Sequence, residues 1–416
     1  AFSECTSLIR LAVSSNLTII GSSAFKKCSS LKEIIIPSLC KIIKSYAFEN
    51  CSSLNKIVIS SPLSIIDDFV FDGGTELTQL FIPSTVQIIG VSSFKGCKSL
   101  KEIVIPSSVV EIKSYAFSGC SQIQKLEIPS SVKQIGEKSF ENCSKLEQLQ
   151  IDVNETNIQM NTFNNCESLK HIIISSNKNS IDTMIKTYLD KISTIKIISI
   201  STNITTLGTS IFKDCSTIEE INLPKSIIAI GSSTFSGCSL LKRISLPNNL
   251  SEIESFLFHE CFSLKEIIIP PSIVSIGSFS FSMCSELREI IIPSTVTSIG
   301  SYAFCECSSL DKISIPPSVI QIGERAFDGC NKLALVKMDP CKAIKQTSIF
   351  HNCTSLKYLI ISANQSIDYR NAMYSLILSS STSSSTSSSK YDRSLESFSK
   401  ISLKVGRSLG SLLHHF

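Results

Sequence analysis

Along residues 1–361, apolar and polar positions repeat with a 23-residue period. Phe2-x-x-Cys5-x-x-Leu8 returns as Phe25/Cys28/Leu31, then as Phe48/Cys51/Leu54, and so on to Phe350/Cys353/Leu356. Fifteen such Phe positions align, and fourteen of the fifteen matching Cys positions are filled. Apolar residues held in phase over a period of this length predict a solenoid. No single coil can bury its own apolar face, so neighbours stack into one continuous core.

The segment Leu31-Lys-Glu-Ile-Ile-Ile-Pro37 shows the parts of one coil. Leu31, Ile34 and Ile36 occupy Leu-x-x-Leu-x-Leu positions and predict a short parallel strand buried on its inner face. Equivalent triplets are Leu100/Ile103/Ile105, Leu264/Ile267/Ile269 and Leu287/Ile290/Ile292. Pro37 and its equivalents Pro83, Pro106, Pro293 and Pro316 end the strand, because Pro cannot donate to the ladder. A second apolar pair follows, such as Val296-x-x-Ile299, and then in many coils a Gly (Gly90, Gly136, Gly300), where a tight turn favours it.

The period breaks once. Cys166 and Cys215 are separated by one 23-residue coil and one of 26, and Leu189-x-x-Ile192 stands where Phe-x-x-Cys belongs. Ile181, Ile185, Tyr188, Leu189 and Ile192 fall at helical spacing, which predicts a short helix over 180–192 starting near Ser180 and Asp182. Asn165–Ser175 and Asn352–Ser362 carry nearly the same motif 187 residues apart, as do Tyr115-Ala-Phe117 and Tyr302-Ala-Phe304. A block of about eight coils is duplicated. The expected organisation is a repeat block over 1–174, a helical coil over 175–194, a second block over 195–361 and a helical cap over 362–378. A Ser/Thr-rich linker over 379–392 and an amphipathic tail over 393–416 follow. Ala1-Phe2-Ser3-Glu4-Cys5 is in phase with Ala24–Cys28, which suggests that the sequence starts inside a coil of a longer protein.

Composition narrows the chemistry. A net charge of +4 with 18% charged residues is too weak a bias to imply nucleic acid. No run of 18 apolar residues is present to span a membrane. The 17 Cys invite a metal or disulfide reading, yet 14 share one phase of the repeat. At that phase stacked thiols would point in parallel rather than at each other, and buried inert thiols fit better. Gly74 occupies one of these positions without disturbing the period, which also favours packing over bonding. Cys305-x-Cys307 lacks a second ligand pair at zinc spacing. His171, His259, His351, His414 and His415 belong to no metalloprotease or triad motif, and no phosphate-binding Gly-rich loop appears. The sequence therefore predicts no catalytic residue, metal site or cofactor. Eight Asn-x-Ser/Thr sequons, among them Asn16, Asn203 and Asn249, permit a secretory route without establishing one.

What remains is a surface. One outward strand position, followed coil by coil, reads Ala12, Ile35, Val58, Phe81 and Val104, then turns polar at Glu127 and Gln150. A contiguous apolar stripe is a candidate binding surface. The other outward position, with Arg10, Glu33, Lys56, Gln79 and Glu102, rims it with mixed charge. Ile268 and Ile291 form a shorter patch in the second block.

The pattern Ile-Pro-Ser-x-Val-x-x-Ile-Gly-x-x-(Ala/Ser)-Phe-x-x-Cys-x-x-Leu resembles the BspA-like, or Treponema-pallidum-type, leucine-rich repeats. Ile292 through Leu310 is a close match, and the resemblance covers residues 1–361. It implies a right-handed, β-rich leucine-rich-repeat solenoid with short parallel strands and few short helices. Family members occur in bacteria and in anaerobic protists such as trichomonads, often as surface or secreted proteins with adhesive roles. The resemblance thus implies a non-enzymatic, surface antigen-like adhesion protein of such a protist, binding a protein or glycan ligand. The alternatives are an intracellular scaffold of the same fold, or the recognition region of a larger receptor or kinase-type protein.

Overall fold

The computed structural model describes residues 1–152, 156–176, 178–181, 189, 192, 194–338 and 348–361. The polypeptide divides into two compact units, residues 1–203 and 204–416. The strands among the described residues are all short, and Leu189 in the long coil is helical.

Alternation of inward and outward residues gives most coils a first strand, and three coils of the first unit keep only isolated bridges there. In Glu33–Ile36, Ile34 and Ile36 are buried while Glu33 and Ile35 face out. Glu33–Ile36 pairs in parallel with Lys56–Ile59, with each residue opposite the one 23 positions on. Further along the first unit, Lys125–Glu127, Gln148–Asp152, His171–Ser175 and Ile197–Ile200 continue the same kind of ladder. In the second unit Glu266–Ile268 pairs with Glu289–Ile291, and Lys312–Ile315, Leu335–Met338 and Tyr358–Ile361 pair in turn.

After the strand, Pro opens a turn: the amide of Val296 donates to the carbonyl of Pro293 at 3.1 Å. A second, two-residue strand follows in most coils, which the sequence reading did not assign. Ile65–Ile66, Ile88–Ile89, Glu111–Ile112, Gln134–Ile135 and Asn157–Ile158 form one such ladder in the first unit. Glu252–Ile253, Ser275–Ile276, Ser298–Ile299 and Gln321–Ile322 form another in the second. The glycine after it is explained by crowding rather than by a left-handed backbone. A Cβ on Gly300 would lie 2.4 Å from the amide nitrogen of Ser278 in the preceding coil.

The long coil keeps the ladder intact. His171 stands opposite Ile197, so the three extra residues are absorbed outside the strands. The helix expected from Ser180 does not start there, because Ser180–Ile181 is a short strand. Two residues pinned in an extended ladder cannot form the first turn of a helix. Further along the segment Leu189 is helical, and most of its neighbours lie outside the described residues. The expected cap over 362–378, linker over 379–392 and tail over 393–416 lie outside them entirely.

The core is built from columns. Phe48, Phe71, Phe94, Phe117 and Phe140 are fully buried and stack ring on ring, with centroids 5.3–5.6 Å apart. In the second unit the Phe281, Phe304 and Phe327 rings stack at 5.2 and 5.1 Å. Next to the rings runs a column of free thiols. The Sγ of Cys51 donates to the carbonyl of Phe25 at 3.1 Å, and Cys120, Cys261 and Cys330 repeat this on Phe94, Phe235 and Phe304. Most thiols of the column are buried and satisfy a turn carbonyl in this way, which agrees with the expectation of inert thiols, while Cys5 is exposed.

Candidate binding surface

The first-strand register brings the predicted stripe together. Ile35 stands directly opposite Val58, and Phe81 directly opposite Val104. The bridges Arg10–Glu33 and Lys56–Gln79 place Ala12 beside Ile35 and Val58 beside Phe81. Ala12, Ile35, Val58, Phe81 and Val104 therefore form one column across five successive coils, all of them exposed. Phe81 and Val104 are the most open, at 74% and 73%. With strand spacings of about 4.8 Å, the column is about 19 Å long and one side chain wide.

Its rim is polar and carries mixed charge. Arg10, Glu33, Lys56, Gln79 and Glu102 occupy the neighbouring outward position, and Arg10 approaches Glu33 at 4.0 Å. Exposed pairs of this kind contribute little stability. The stripe ends where Gln150 donates to Glu127 at 3.2 Å, replacing apolar surface with a polar pair.

In the second unit Ile268 and Ile291 are paired opposite each other and stand 84% and 75% exposed. Beside them lies a shallow depression lined by Lys265, Glu266, Arg288 and Glu289. Lys312 pairs with Glu289 at 3.3 Å, and Lys265 with Glu286 at 3.6 Å.

Two features escaped the sequence reading. The exposed residues Ile19, Ile42 and Ile65 lead their short second strands and add a second apolar column in the first unit. Phe256, Phe279 and Tyr302 stack at 4.8 Å on left-handed backbone positions, with φ of 59°, 57° and 57°. Their spacing of 23 was visible in the sequence, but neither their exposure nor their backbone conformation was.

The side chains with chemical potential are otherwise engaged. His171 lies 2.8 Å from the hydroxyl of Ser199, and His351 lies 2.9 Å from Asp328. Burial, and then the nearby carboxylates of Asp328 and Glu306, push the thiol of the off-column Cys305 up to about 11, away from the nucleophilic range. Among the described residues no group of three His, Cys, Asp or Glu could hold a metal ion. Among them, too, no helix is long and apolar enough to cross a membrane.

Parallel strands at a 23-residue register, inward Leu and Ile, and a buried Cys at the turn define a leucine-rich-repeat solenoid, a fold that typically serves as a non-catalytic, protein-binding scaffold. The chain belongs to the BspA type leucine rich repeat family, whose six-copy model matches residues 1–99, 64–193, 183–288 and 274–402. Among curated proteins, nothing matches the chain. Among solved structures it is similar to a leucine-rich repeat protein from Bacteroides ovatus, with 25% identity, 88% of each chain covered and a TM-score of 0.39. A leucine rich cell surface protein from Faecalibacterium prausnitzii matches with 25% identity over 80% of this chain and 79% of that one, with a TM-score of 0.32. The pneumococcal vaccine antigen PcpA matches with 20% identity over 83% of this chain and 73% of its own, with a TM-score of 0.30.

Proposed function

We propose that this chain is a non-enzymatic adhesion or antigen-like protein, displayed at a cell surface or secreted, that binds a protein through the strand face of its first unit. Family membership supports the surface location, because BspA-like proteins are often displayed or secreted. The observation that carries the binding site is the Phe81–Val104 pair, two large apolar side chains opposite each other and about three-quarters exposed. Water-exposed apolar area of this kind gains free energy when a partner covers it. The stripe is narrow, so it suits a projecting segment of the partner, and the mixed charges beside it would fix that segment's register.

The test has two arms. Antibody labelling of intact source cells, with permeabilised cells as the control, examines location; signal only after permeabilisation would discard the surface reading. Binding of the purified protein to host cells or matrix proteins, compared with the Phe81→Asp/Val104→Asp variant, examines the site. Unchanged binding by a folded double variant would sink the stripe as the interface.

A further inference from the structure

The residue following the repeat Cys is polar in almost every coil. Thr6, Ser29, Ser52, Thr75, Lys98, Ser121, Ser144 and Glu167 hold it in the first block; Ser216, Ser239, Ser285, Ser308, Asn331 and Thr354 hold it in the second. Phe262 is the exception, and its ring is 38% exposed. The residue preceding the repeat Cys sits on a left-handed backbone and is usually Asn, Gly, Asp, Glu or Lys. Met283, at φ 65°, is the exception there. These two departures occur in adjacent coils and line the same groove.

That groove has a volume of about 540 Å³ and is completed by Ser285, Glu306, Ser308, Gly329, Asn331, Asn352 and Thr354. It crosses five coils, or about 19 Å at the spacing of parallel strands. Where a repeat breaks its own rule at an exposed position and, in the next coil, at a left-handed one, function is the expected reason.

We infer that this groove is a binding site for a neutral oligosaccharide, with Phe262 and Met283 as the apolar platform and the polar row beyond them as the hydroxyl-reading surface. The chemistry matches in order. A pyranose ring presents a C–H face that packs on a phenyl ring, while its hydroxyls need donors and acceptors at regular intervals. Ser285, Ser308, Asn331 and Thr354 follow Phe262 at one per coil. The hydroxyls of Ser285 and Ser308 donate to the carbonyls of Phe262 and Ser285 at 3.4 Å and so offer acceptors to a sugar, while the Asn352 amide donates to Asp328 at 3.2 Å and offers its carbonyl oxygen. Gly329, without a side chain, makes room for the side chain of Glu306, whose Cγ lies 3.1 Å from where a Cβ would stand. Glu306 is exposed and accepts from hydroxyls, and its charge disfavours anionic sugars.

The main chain argues against an added peptide strand. The amides of Met283, Glu306 and Gly329 donate to the next coil at 2.7, 2.6 and 3.0 Å. Those of Ser285, Ser308 and Thr354 donate back to Met283, Glu306 and Asn352 at 2.8–2.9 Å. These donors are taken, so recognition falls to side-chain acceptors and to Asn331 and Thr354.

The test uses the whole protein on a chip carrying neutral hexasaccharides of glucose, galactose, mannose and N-acetylglucosamine, with a random peptide array beside it. At least one sugar should bind. Phe262→Ser restores the residue type of the neighbouring coils, so it should fold, and it should weaken that binding about ten- to hundred-fold, the range for uncovering a phenyl ring. Met283→Asn should weaken it less, and Ile268→Ser on the strand face should leave it unchanged. No sugar binding, sugar binding equal in Phe262→Ser, or Phe262-dependent binding found only on the peptide array would each overturn the assignment. The groove belongs to the second unit and shares no residue with the stripe, so a failure of either site leaves the other standing.

Discussion

The Sγ of Cys307 lies 3.1 Å from the carbonyl oxygen of Phe281, which also accepts the amide of Cys284 at 3.2 Å. The thiol fills the second lone pair of a buried carbonyl in the preceding coil. Repeated along the stack, this contact ties each turn to its neighbour and explains why a small, weakly polar side chain recurs there. Replacing Cys307 with Ala removes the donor and leaves a small void, at an expected cost of about 2 kcal/mol. The urea midpoint of Cys307→Ala measures it; a midpoint equal to that of the parent protein would show that the contact is inert.

Gly74 is the natural gap in that column. A Cβ built there meets the carbonyl of Phe71 at 3.3 Å and the Sγ of Cys97 at 3.6 Å, so a side chain fits with small adjustments. Gly74→Cys should therefore stabilise the protein by about 1–2 kcal/mol, from reduced chain entropy and one added hydrogen bond. A fall in thermal midpoint would mean that the site is too tight for the thiol.

Alkaline pH should loosen the stack. Burial pushes the thiol of Cys51 up to about 12 from an ordinary value of 9.0, and those of Cys120, Cys261 and Cys307 are raised as well. Between those limits the unfolded chain has lost protons that the folded chain keeps. The stabilisation is therefore complete below pH 9 and is lost as pH rises toward 12, by about 1.4 kcal/mol per pH unit for each such thiol. Urea titrations at pH 8 and pH 10.5 should differ sharply, and matching midpoints would contradict the ladder.

The phenyl column should dominate stability. Phe304 is fully buried between Phe281 and Phe327, at 5.2 and 5.1 Å. Phe304→Ala should cost about 3–5 kcal/mol. The exposed Phe81→Ala should cost only about 0.5 kcal/mol, which separates a core ring from a surface one. Chemical denaturation of the two variants gives the comparison directly.

Strain at the left-handed turns is also measurable. Ser233 holds φ 56° while its amide and carbonyl stay bonded to the backbone. Ser233→Gly should raise stability by about 0.5–1 kcal/mol, because glycine takes that conformation without a Cβ penalty. A destabilised variant would indicate that the hydroxyl contributes more than the backbone strain costs.

The sequence determined the period, the inward residues of the first strand and the identity of the core columns, because burial by stacking requires the same residue type at the same phase of every coil. It also determined that Ile35, Val58, Phe81 and Val104 share one outward phase. Tertiary structure alone decided which positions lie open to water and which backbone turns are left-handed, since both depend on neighbouring coils 23 residues away. The two-residue second strands were invisible beforehand because so short a segment carries no periodicity and becomes a strand only by pairing with the next coil. The groove at Phe262 was hidden for the same reason. Two departures at different phases of adjacent coils look unrelated in a linear chain, and only stacking sets them side by side.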